Sequence, residues 1–465
     1  MTVATTKTIT AYAVYLPAFA LAVNDFGADV RDGSARARSV ASHDEDAVTL
    51  GVEAGRRLDG ALQDVPALLL ATSEPPYLDK SSATTVHAAL GLPENATAVD
   101  LHGLRAGAGA LRTAFGMGGL AVLADQRTAP PGAAGELSQG DAAAAFAMSG
   151  DSSAPVRLRA TASSTVELLD RWRAPGAPHP TVWDERFTAN ILAESALSAA
   201  SRALGEAGLE RADRVVVACA NPRAAAAIRA ALGSDRADAE LEAAIGHTGA
   251  AHLGVLLADA FDRSRPGETV LAVCAADGAD AFVFETGEGV ETANRGPKVR
   301  EQLGGRTYLP YDRYLRMRGL FVVQGPNRPD PAPPAAPPMA RRREWKMALV
   351  AARCAECDAV TAPPARACAG CGRLDTQRPE SLRDRACTVV SVTEDLLAPG
   401  PDGPAVQAVV DVEGGGRRSV HVADPPAGGV KAGDELWPVL RRISSTQGIH
   451  NYFWKARPMG TVRHG

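Results

Sequence analysis

Four of the seven cysteines stand in two closely spaced pairs. Cys354 and Cys357 form the first pair, and Cys368 and Cys371 form the second. Two such C-x2-C pairs supply the four thiolates of a closed tetrahedral zinc site, which leaves no position open for water or substrate. The spacing therefore predicts a Zn²⁺ ion with a structural role.

A second stretch, "DLHGLRAGAGAL" at 100–111, is typical of a buried strand, a tight turn and the small-residue start of a helix. Such a turn commonly displays a nucleophile, because a helix N-terminus lowers the pKa of a thiol. This turn contains neither Cys nor Ser, and Cys219 is the first cysteine of the chain. His102 lies in the turn, as a surface histidine or as a substitute catalytic group.

Length, charge and cysteine usage narrow the class of protein. The chain has 465 residues and a net charge of −5, so we expect two or three domains and no nucleic-acid partner. A signal pattern at the N-terminus and an apolar run long enough for a bilayer are both missing. With cysteines that do not form a disulfide framework, we expect a cytoplasmic protein without a membrane partner.

Strand-like and helix-like patterns alternate over roughly the first 290 residues. Short apolar runs predict strands, and 3.6-residue periodicity predicts helices between them. We expect strands at 9–16, 67–72, 96–101, 120–124, 214–220, 269–275 and 280–286, and helices at 45–62, 83–90, 187–209, 222–232 and 250–261. This order predicts an α/β layered fold.

The composition changes after this region. The proline-rich stretch "GPNRPDPAPPAAPP" predicts a semi-rigid, extended linker. Beyond the cysteine pairs, β-like runs at 387–392, 405–412 and 418–423 are separated by Gly, Pro and Asp turns. That spacing predicts a small closed or partly closed β-barrel.

Several motifs resemble one family, the archaeal-type 3-hydroxy-3-methylglutaryl-CoA synthases of the thiolase superfamily. They are "ASHDEDAVTLGVEAGRRL", "ATSEPPYLDKSSATTVHAALG", "QGDAAAAFAMSG" and "GHTGAAHLGVLLADAFDRSRPGETVLAV". The resemblance implies two pseudo-repeated halves, a homodimer and an acyl-CoA substrate in a narrow tunnel. The cysteine pairs and the barrel resemble the zinc-ribbon and OB-fold (DUF35-type) proteins that accompany thiolase-like enzymes, here fused to the enzyme.

The domain organisation follows from these resemblances. We expect the first thiolase-like half at 1–165, the second half at 166–324 and the proline-rich linker at 325–343. A zinc ribbon is expected at 344–380 and an OB-type β-barrel at 381–465.

In the resembling family, a Cys accepts the acyl group, a Glu removes a proton from it, and a His polarises the second substrate. The Glu corresponds to Glu74, and nearby Tyr77 is a hydrogen-bond donor or a packing residue. The Cys position falls at or beside Leu104, and the His position falls on Ala220. The resemblance therefore implies that the acyl-enzyme route is absent.

Three further residues take roles by this resemblance. His247 stands where relatives carry Asn, and is interpreted as an oxyanion donor or a general acid. His252, one turn along, is expected to face packing or a dimer surface. Cys219 ends a predicted buried strand, so a core role is favoured over that of a displaced nucleophile.

A base and an oxyanion donor suffice for proton abstraction next to a thioester carbonyl. We therefore expect aldol-type addition or retro-aldol cleavage on an acyl-CoA, with Glu74 as base and a small-molecule acceptor. A direct acyltransferase and a non-catalytic scaffold subunit are the alternatives. Three arginines are candidates for contacts with the CoA phosphates: Arg105, Arg223 and Arg229.

Overall fold

The computed structural model describes residues 8–22, 36–58, 60–151, 153–321 and 331–458, apart from the side chains of residues 398 and 399. The strands in these residues are β1 (Thr8–Tyr15), β2 (Phe19–Ala22), β3 (Ala37–Val40), β4 (Ala67–Thr72), β5 (Thr97–His102), β6 (Gly119–Asp125), β7 (Ala142–Ser149), β8 (Val156–Thr165), β9 (Arg171–Trp172), β10 (Thr181–Val182), β11 (Arg214–Cys219), β12 (Thr269–Ala275), β13 (Gly278–Thr286), β14 (Thr307–Tyr308), β15 (Val350–Cys354), β16 (Val360–Thr361), β17 (Gln377–Ser381), β18 (Cys387–Gly400), β19 (Gly403–Val412), β20 (Arg417–His421), β21 (Glu435–Thr446) and β22 (Ile449–Pro458). The α-helices are α1 (Ala47–Arg56), α2 (Ala83–Leu90), α3 (Ala106–Met117), α4 (Ala134–Ser138), α5 (Glu185–Ala207), α6 (Pro222–Leu232), α7 (Ala237–Ile245), α8 (His252–Asp262), α9 (Val290–Ala293), α10 (Tyr311–Met317), α11 (Ala336–Arg341) and α12 (Arg343–Ala348).

All of the expected strands and helices of the first 290 residues are present, and β4, α2, α6 and β12 have the predicted bounds. The helix expected over 45–62 is shorter. It begins at Ala47, because the Asp46 side chain caps it by accepting the N–H groups of Val48 and Thr49. It has ended before Gly60, whose φ of +80° cannot continue a right-handed helix.

One nine-stranded sheet runs through the α/β part in the order β11-β12-β13-β8-β1-β7-β6-β4-β5. We call β1 with β7, β6, β4 and β5 the first half-sheet, and β8 with β13, β12 and β11 the second half-sheet. The two half-sheets join where β8 pairs with β1 at Thr8 and Ile9. The pairs β4–β5, β4–β6 and β11–β12 are parallel, so their carboxyl ends meet at common edges.

Three helical layers cover the sheet. Helices α3 and α8 lie in the middle, where their apolar residues share one core with strands of both half-sheets. Helix α8 is buried over the ten residues from His252 to Phe261, as expected for a helix that is enclosed on all sides. Helices α1 and α2 pack outside the first half-sheet, and α5 and α6 outside the second. This layering is the thiolase-like α/β fold that the sequence predicts.

The pairing of β8 bears on the boundary between the two halves. Nine residues of β8 pair with β13, whereas only two pair with β1. We therefore propose that the second half begins at β8, ten residues before the boundary expected at 165/166.

The predicted linker differs from its expected conformation. Residues 322–330 lie outside the described residues. Residues 336–341, expected to be extended, form helix α11 instead, with a proline in its first turn. Proline lacks only an N–H that the first turn leaves unpaired anyway, so it does not prevent this helix. In the described part of the chain, no helix has the length and apolar character required to cross a bilayer.

The C-terminal part contains two small β units. Strands β16-β15-β17 form one sheet, with Cys354 at the end of β15 and the other three cysteines in the connecting segments. Strands β20-β19-β18-β21-β22 form a five-stranded antiparallel sheet. A bridge between Val422 and Ala456 brings the outer strands of this sheet together, so the barrel is partly closed. These features agree with the expected zinc ribbon and OB-type barrel.

The barrel is joined to the α/β part by a buried ionic cluster. Arg441 on β21 is fully buried and contacts Asp44 at 2.9 Å, Glu45 at 3.1 Å and Asp424 at 2.6 Å. Lys455 on β22 contacts Asp44 at 2.7 Å. A single apolar core extends from α1 and α2 into the barrel. The acidic residues just before α1 therefore hold the barrel in place.

Candidate active site

A cavity of about 640 Å³ opens at the carboxyl ends of parallel strands β4, β11 and β12. Ligand sites in sheets of this kind occur where strands end and loops diverge. Five segments supply most of the cavity lining: the loop after β4, the turn before α3, the residues before α6, the residues after β12 and the segment from Asp170 to Pro180. Arg127, which follows β6, and Leu192 on α5 complete it.

Glu74 lies in the loop after β4, and its side chain is 11 % exposed. Arg127 Nη1 contacts its Oε1 at 3.1 Å, and Arg173 Nη1 lies 3.6 Å from its Oε2. The N–H of Thr128 also donates to Oε1. Burial raises the pKa of Glu74 above its ordinary value, while the two arginines act in the opposite direction. A desolvated carboxylate of this kind can act as a base near neutral pH.

Asp125, at the end of β6, holds the Glu74 loop and the loop before α8 together. Its fully buried carboxylate accepts hydrogen bonds from Thr72 Oγ1 at 2.7 Å, from Ser73 N at 2.8 Å and from Ser73 Oγ at 2.7 Å. It also accepts the N–H of Glu74 at 3.2 Å and of Ala250 at 2.6 Å. One carboxylate therefore fixes the backbone on both sides of the candidate site.

Two glycines allow the close approach of these elements. A Cβ atom at Gly249, which has a φ of +59°, would lie 1.9 Å from Asp125 Oδ2. A Cβ atom at Gly107 in α3 would lie 2.2 Å from the carbonyl oxygen of Ala250. Both positions require glycine because the loop before α8 packs directly against β6 and α3.

The positions of the family's Cys and His are brought together with His247. Leu104 and Ala220 line the main cavity, and both also line a small adjoining cavity that His247 borders. Cys274 lies in the same wall. Apolar side chains therefore stand beside His247 where the resemblance implies a nucleophile and a histidine.

His247 is buried in the loop that connects α7 to α8. Its Nδ1 accepts the N–H of Gly249 at 3.2 Å, so the neutral ring carries its proton on Nε2. Burial and the neighbouring His252 lower the pKa of His247 well below its ordinary value, against the opposing charge of Glu242. His247 is therefore a neutral N–H donor at neutral pH.

A polar chain leads away from His247. The rings of His247 and His252 lie 4.1 Å apart, and His252 Nε2 is 3.8 Å from Glu242 Oε2. Burial opposes the ionisation of Glu242, but contacts with His252, His247 and Arg229 lower its pKa. Arg229 contacts Glu242 at 2.5 Å and Asp238 at 3.0 Å. Arg229, predicted to meet CoA phosphates, is thus paired within the protein.

The remaining predicted residues are placed differently from one another. His102 lines the main cavity and is exposed. Tyr77 lies against the barrel instead, where its hydroxyl accepts the N–H of His450 at 2.7 Å. Arg105 contacts Asp280 at 2.7 Å and donates to backbone carbonyls, including that of Asp277 at 2.7 Å. Arg223 is exposed in the first turn of α6.

Cys219 is a buried residue at the end of β11. Burial raises the pKa of its thiol to about 12, and the thiol lies 3.6 Å from the carbonyl oxygen of Asn221. Burial also raises the pKa of Cys274 to about 12. Neither thiol has the low pKa of a reactive nucleophile.

The four cysteines of the C-terminal pairs meet as their spacing predicts. The sulfur atoms of Cys354, Cys357, Cys368 and Cys371 all lie within 4.8 Å of one another. Those of Cys354 and Cys371 are 3.8 Å apart, and those of Cys357 and Cys368 are 3.5 Å apart. Zn–S bonds of about 2.3 Å in a tetrahedron require sulfur atoms about 3.8 Å apart, so the cluster fits zinc.

Asp125, Arg127 and Arg173 were not predicted from the sequence. For Asp125 a signal exists, since "LAVLAD" places a carboxylate at the end of an apolar strand, where sites of α/β folds form. Arg127 follows two residues later, and its side chain is 5 % exposed. Arg173 comes from a segment without a recognisable pattern, and only the folded chain places it beside Glu74.

Comparisons with known proteins agree with this architecture. No protein-family model matches the chain. An HMG-CoA synthase structure solved in complex with CoA superposes with a TM-score of 0.60 at 18 % identity, covering 71 % of this chain and 94 % of that one. A β-ketoacyl-[acyl carrier protein] synthase III of Thermus thermophilus gives a TM-score of 0.51 at 26 % identity, covering 61 % and 99 %. The fold thus defines a thiolase-superfamily protein.

Sequence relatives show to which family of this superfamily the chain belongs. The hydroxymethylglutaryl-CoA synthase of Archaeoglobus fulgidus is 32 % identical over an alignment of 340 positions, which covers 67 % of this chain and 98 % of that protein. The enzyme of the same name from Methanosphaera stadtmanae is 30 % identical over 346 residues, covering 68 % and 99 %. The chain belongs to the hydroxymethylglutaryl-CoA synthase family.

Proposed function

We propose that this chain catalyses an aldol-type reaction on an acyl-CoA without an acyl-cysteine intermediate. It either adds an enolised acyl-CoA to a carbonyl compound or cleaves a β-hydroxyacyl-CoA in the reverse direction. The name shared by the sequence relatives supports carbon–carbon bond chemistry on a CoA thioester. The chain's first cysteine, Cys219, is buried with a raised pKa, which supports a route without a thiolate.

One observation carries the proposal. A buried carboxylate and a neutral imidazole N–H are held on loops joined by Asp125. Leu104 and Ala220, which the resemblance puts at or beside the nucleophile and histidine positions, line a small cavity with His247. Glu74 removes the proton beside the thioester carbonyl, and His247 Nε2–H stabilises the resulting enolate oxygen. The enolate carbon then attacks the acceptor carbonyl, and Glu74 returns its proton to the new alkoxide.

The test is turnover followed by mass spectrometry. The full chain is incubated with acyl-CoAs and aldehydes, and separately with β-hydroxyacyl-CoAs. We expect a product with a changed carbon skeleton that is lost in Glu74→Gln. Glu285→Gln is the matched control, because Glu285 is half-exposed on β13 and pairs with Arg159 on the protein surface. Absence of any product, with Glu74→Gln indistinguishable from wild type, would overturn the proposal.

Two other outcomes would identify the alternatives. An acylated acceptor with an unchanged carbon skeleton would show a direct acyltransferase. Co-purification with an active thiolase-like protein, together with indifference to substitution of Glu74 and His247, would show a scaffold subunit.

We further propose a structural zinc ion on the cysteine cluster, as part of a zinc-ribbon and OB-fold domain fused to the enzyme.

A homodimer is proposed at β5, which is an edge strand of the nine-stranded sheet and leaves Val99 40 % exposed. Arg223 remains the candidate for CoA phosphates, since Arg105 and Arg229 pair within the protein. Seven cysteines outside any disulfide support a reducing compartment, the cytoplasm.

A further inference from the structure

One wall of the main cavity is rich in guanidinium groups. Arg127, Arg171 and Arg173 all line it, together with Trp172 between the last two. Arg127 is committed to the protein, since it contacts Glu74 at 3.1 Å and donates to Ser73 Oγ. Arg171 and Arg173 are the two cations of the wall that a ligand can reach through this cavity.

Arg173 makes few contacts for its hydrogen-bonding capacity. Its Nη2 donates to the carbonyl oxygen of Ser73 at 3.0 Å, and its Nη1 lies 3.6 Å from Glu74 Oε2. The second contact is too long for a hydrogen bond. A guanidinium carries five N–H donors in a fork that fits a carboxylate, so most donors of Arg173 remain available in the described structure.

Arg171 is similarly under-satisfied. Its Nη2 is 3.5 Å from Glu185 Oε1, and within the described part of the chain its buried Nε has no hydrogen-bond partner. Burial, followed by the charge of Arg127, lowers the pKa of Arg171, against the opposing charges of Asp170 and Glu185. An anion placed between Arg171 and Arg173 would relieve this repulsion.

The carboxyl groups of the cavity do not take that role. Asp170 accepts the hydroxyl of Thr188, which lies on helix α5. Asp277 follows β12, and burial raises its pKa above the ordinary value, which disfavours its charged form. Neither carboxyl group forms an ion pair with Arg171 or Arg173 among the described residues.

We propose that Arg171 and Arg173 bind a free carboxylate on the substrate that reacts in this cavity. The substrate class is thus an acyl-CoA or acceptor with an anionic tail, and the inference rests on the proposed function of Glu74. When the substrate carboxylate binds Arg173, the 3.6 Å contact between Arg173 and Glu74 is broken. Glu74 is then held at Oε1 by Arg127 and the N–H of Thr128, and its Oε2 is free to accept the proton.

The test measures binding rather than turnover. Glutarate is titrated into the full chain, and its binding is measured as a change in the fluorescence of Trp172, which lines the cavity. Trp172→Phe identifies that signal among the five tryptophans of the chain. A second titration uses 3′,5′-ADP, which carries the phosphates of CoA but no carboxylate, and so separates the two sources of anion.

We expect saturable binding of glutarate that weakens at least tenfold in Arg173→Gln and less in Arg173→Lys, which keeps the charge but loses the fork. Arg159→Gln, which removes a surface arginine remote from the cavity, leaves binding unchanged. Glu74→Gln binds glutarate more tightly, because a competing carboxylate is gone, and this holds whether or not turnover is found.

Three results would overturn the inference. They are the absence of saturable glutarate binding, equal binding in wild type and both Arg173 variants, and displacement of glutarate by 3′,5′-ADP at Trp172. Circular dichroism of each variant shows that the fold is retained. Glutarate binding without turnover would overturn the proposed aldol chemistry and leave the anion site standing.

Discussion

Asp125→Asn isolates the contribution of one buried carboxylate to the candidate site. Oδ1 accepts three hydrogen bonds, from Thr72 Oγ1, Ser73 N and Glu74 N, and Oδ2 accepts two, from Ser73 Oγ and Ala250 N. An amide nitrogen at the Oδ1 position would face two backbone N–H groups, whereas at the Oδ2 position it would face one. The second orientation is favoured, so the link to Ala250 is the one that breaks.

The magnitude follows from this count. Losing a charge-assisted hydrogen bond and leaving one buried N–H unpaired lowers the free energy of unfolding by about 2–3 kcal/mol. The loop that carries His247 is then released from the loop that carries Glu74. Misplacement of a reacting group by about 1 Å lowers a rate by about 100-fold, and we expect a loss of this order in turnover.

Urea unfolding followed by circular dichroism measures the stability, and turnover is measured in parallel. Asp262→Asn is the matched control, because Asp262 accepts from Tyr12 Oη at 2.9 Å, from Asn294 Nδ2 at 2.8 Å and from Val299 N at 2.9 Å. Its substitution likewise replaces a buried carboxylate by an amide, on the last residue of α8, but the amide nitrogen can take the Oδ1 position, where it faces the side chains of Tyr12 and Asn294 and no backbone N–H. Comparable destabilisation of both variants with unchanged turnover in Asp125→Asn would refute a positioning role for Asp125.

Four further outcomes are expected. The thiol of Leu104→Cys reacts faster with iodoacetamide than that of Cys219, because a helix N-terminus lowers the pKa of a thiol, whereas burial raises the pKa of Cys219 to about 12. Peptide mass spectrometry compares the two rates, and an unreactive Leu104→Cys contradicts the placement of the turn. Arg441→Leu lowers the free energy of unfolding by about 3–5 kcal/mol and makes the barrel sensitive to proteolysis, since it leaves the buried Glu45 and Asp424 without this cation and Asp44 with Lys455 only. Equal resistance to protease would contradict this. Wild type loses stability as the pH falls below about 6.5, because the unfolded chain binds a proton that the folded His247 resists. His247→Gln loses less between pH 7.5 and 5.5, as urea midpoints show, and an equal loss contradicts the assignment. Elemental analysis finds about one zinc per chain, and Cys354→Ser loses it; a metal-free wild type contradicts a zinc site.

The layered fold was predictable because its strands are continuous apolar runs. "ALLLAT" becomes β4 with unchanged bounds, since every residue of that strand is buried. The cysteine cluster was equally predictable, because two short spacings between cysteines define it. Both signals are carried by residues close together in the chain, where spacing alone determines geometry.

The candidate site could be predicted only in part from the sequence, because its contacts join segments that are distant in the chain. The partners of Glu74 are Arg127 and Arg173, which lie on other elements and have no local pattern. The sequence also does not show that Arg105 forms an ion pair with Asp280, 175 residues away. Charged side chains are common on protein surfaces, and only the folded chain distinguishes a paired arginine from a ligand-binding one.

The ionic cluster beneath the barrel has a consequence for the way in which the protein is made. Asp44 leaves the ribosome 397 residues before Arg441, so the acidic start of α1 is synthesised long before its cation. A partner on a separate polypeptide would have to be found by diffusion, at whatever concentration the cell supplies. Covalent connection replaces that search with a high effective concentration set by the length of the connecting chain. The stoichiometry of one barrel per α/β unit is thereby encoded in a single message.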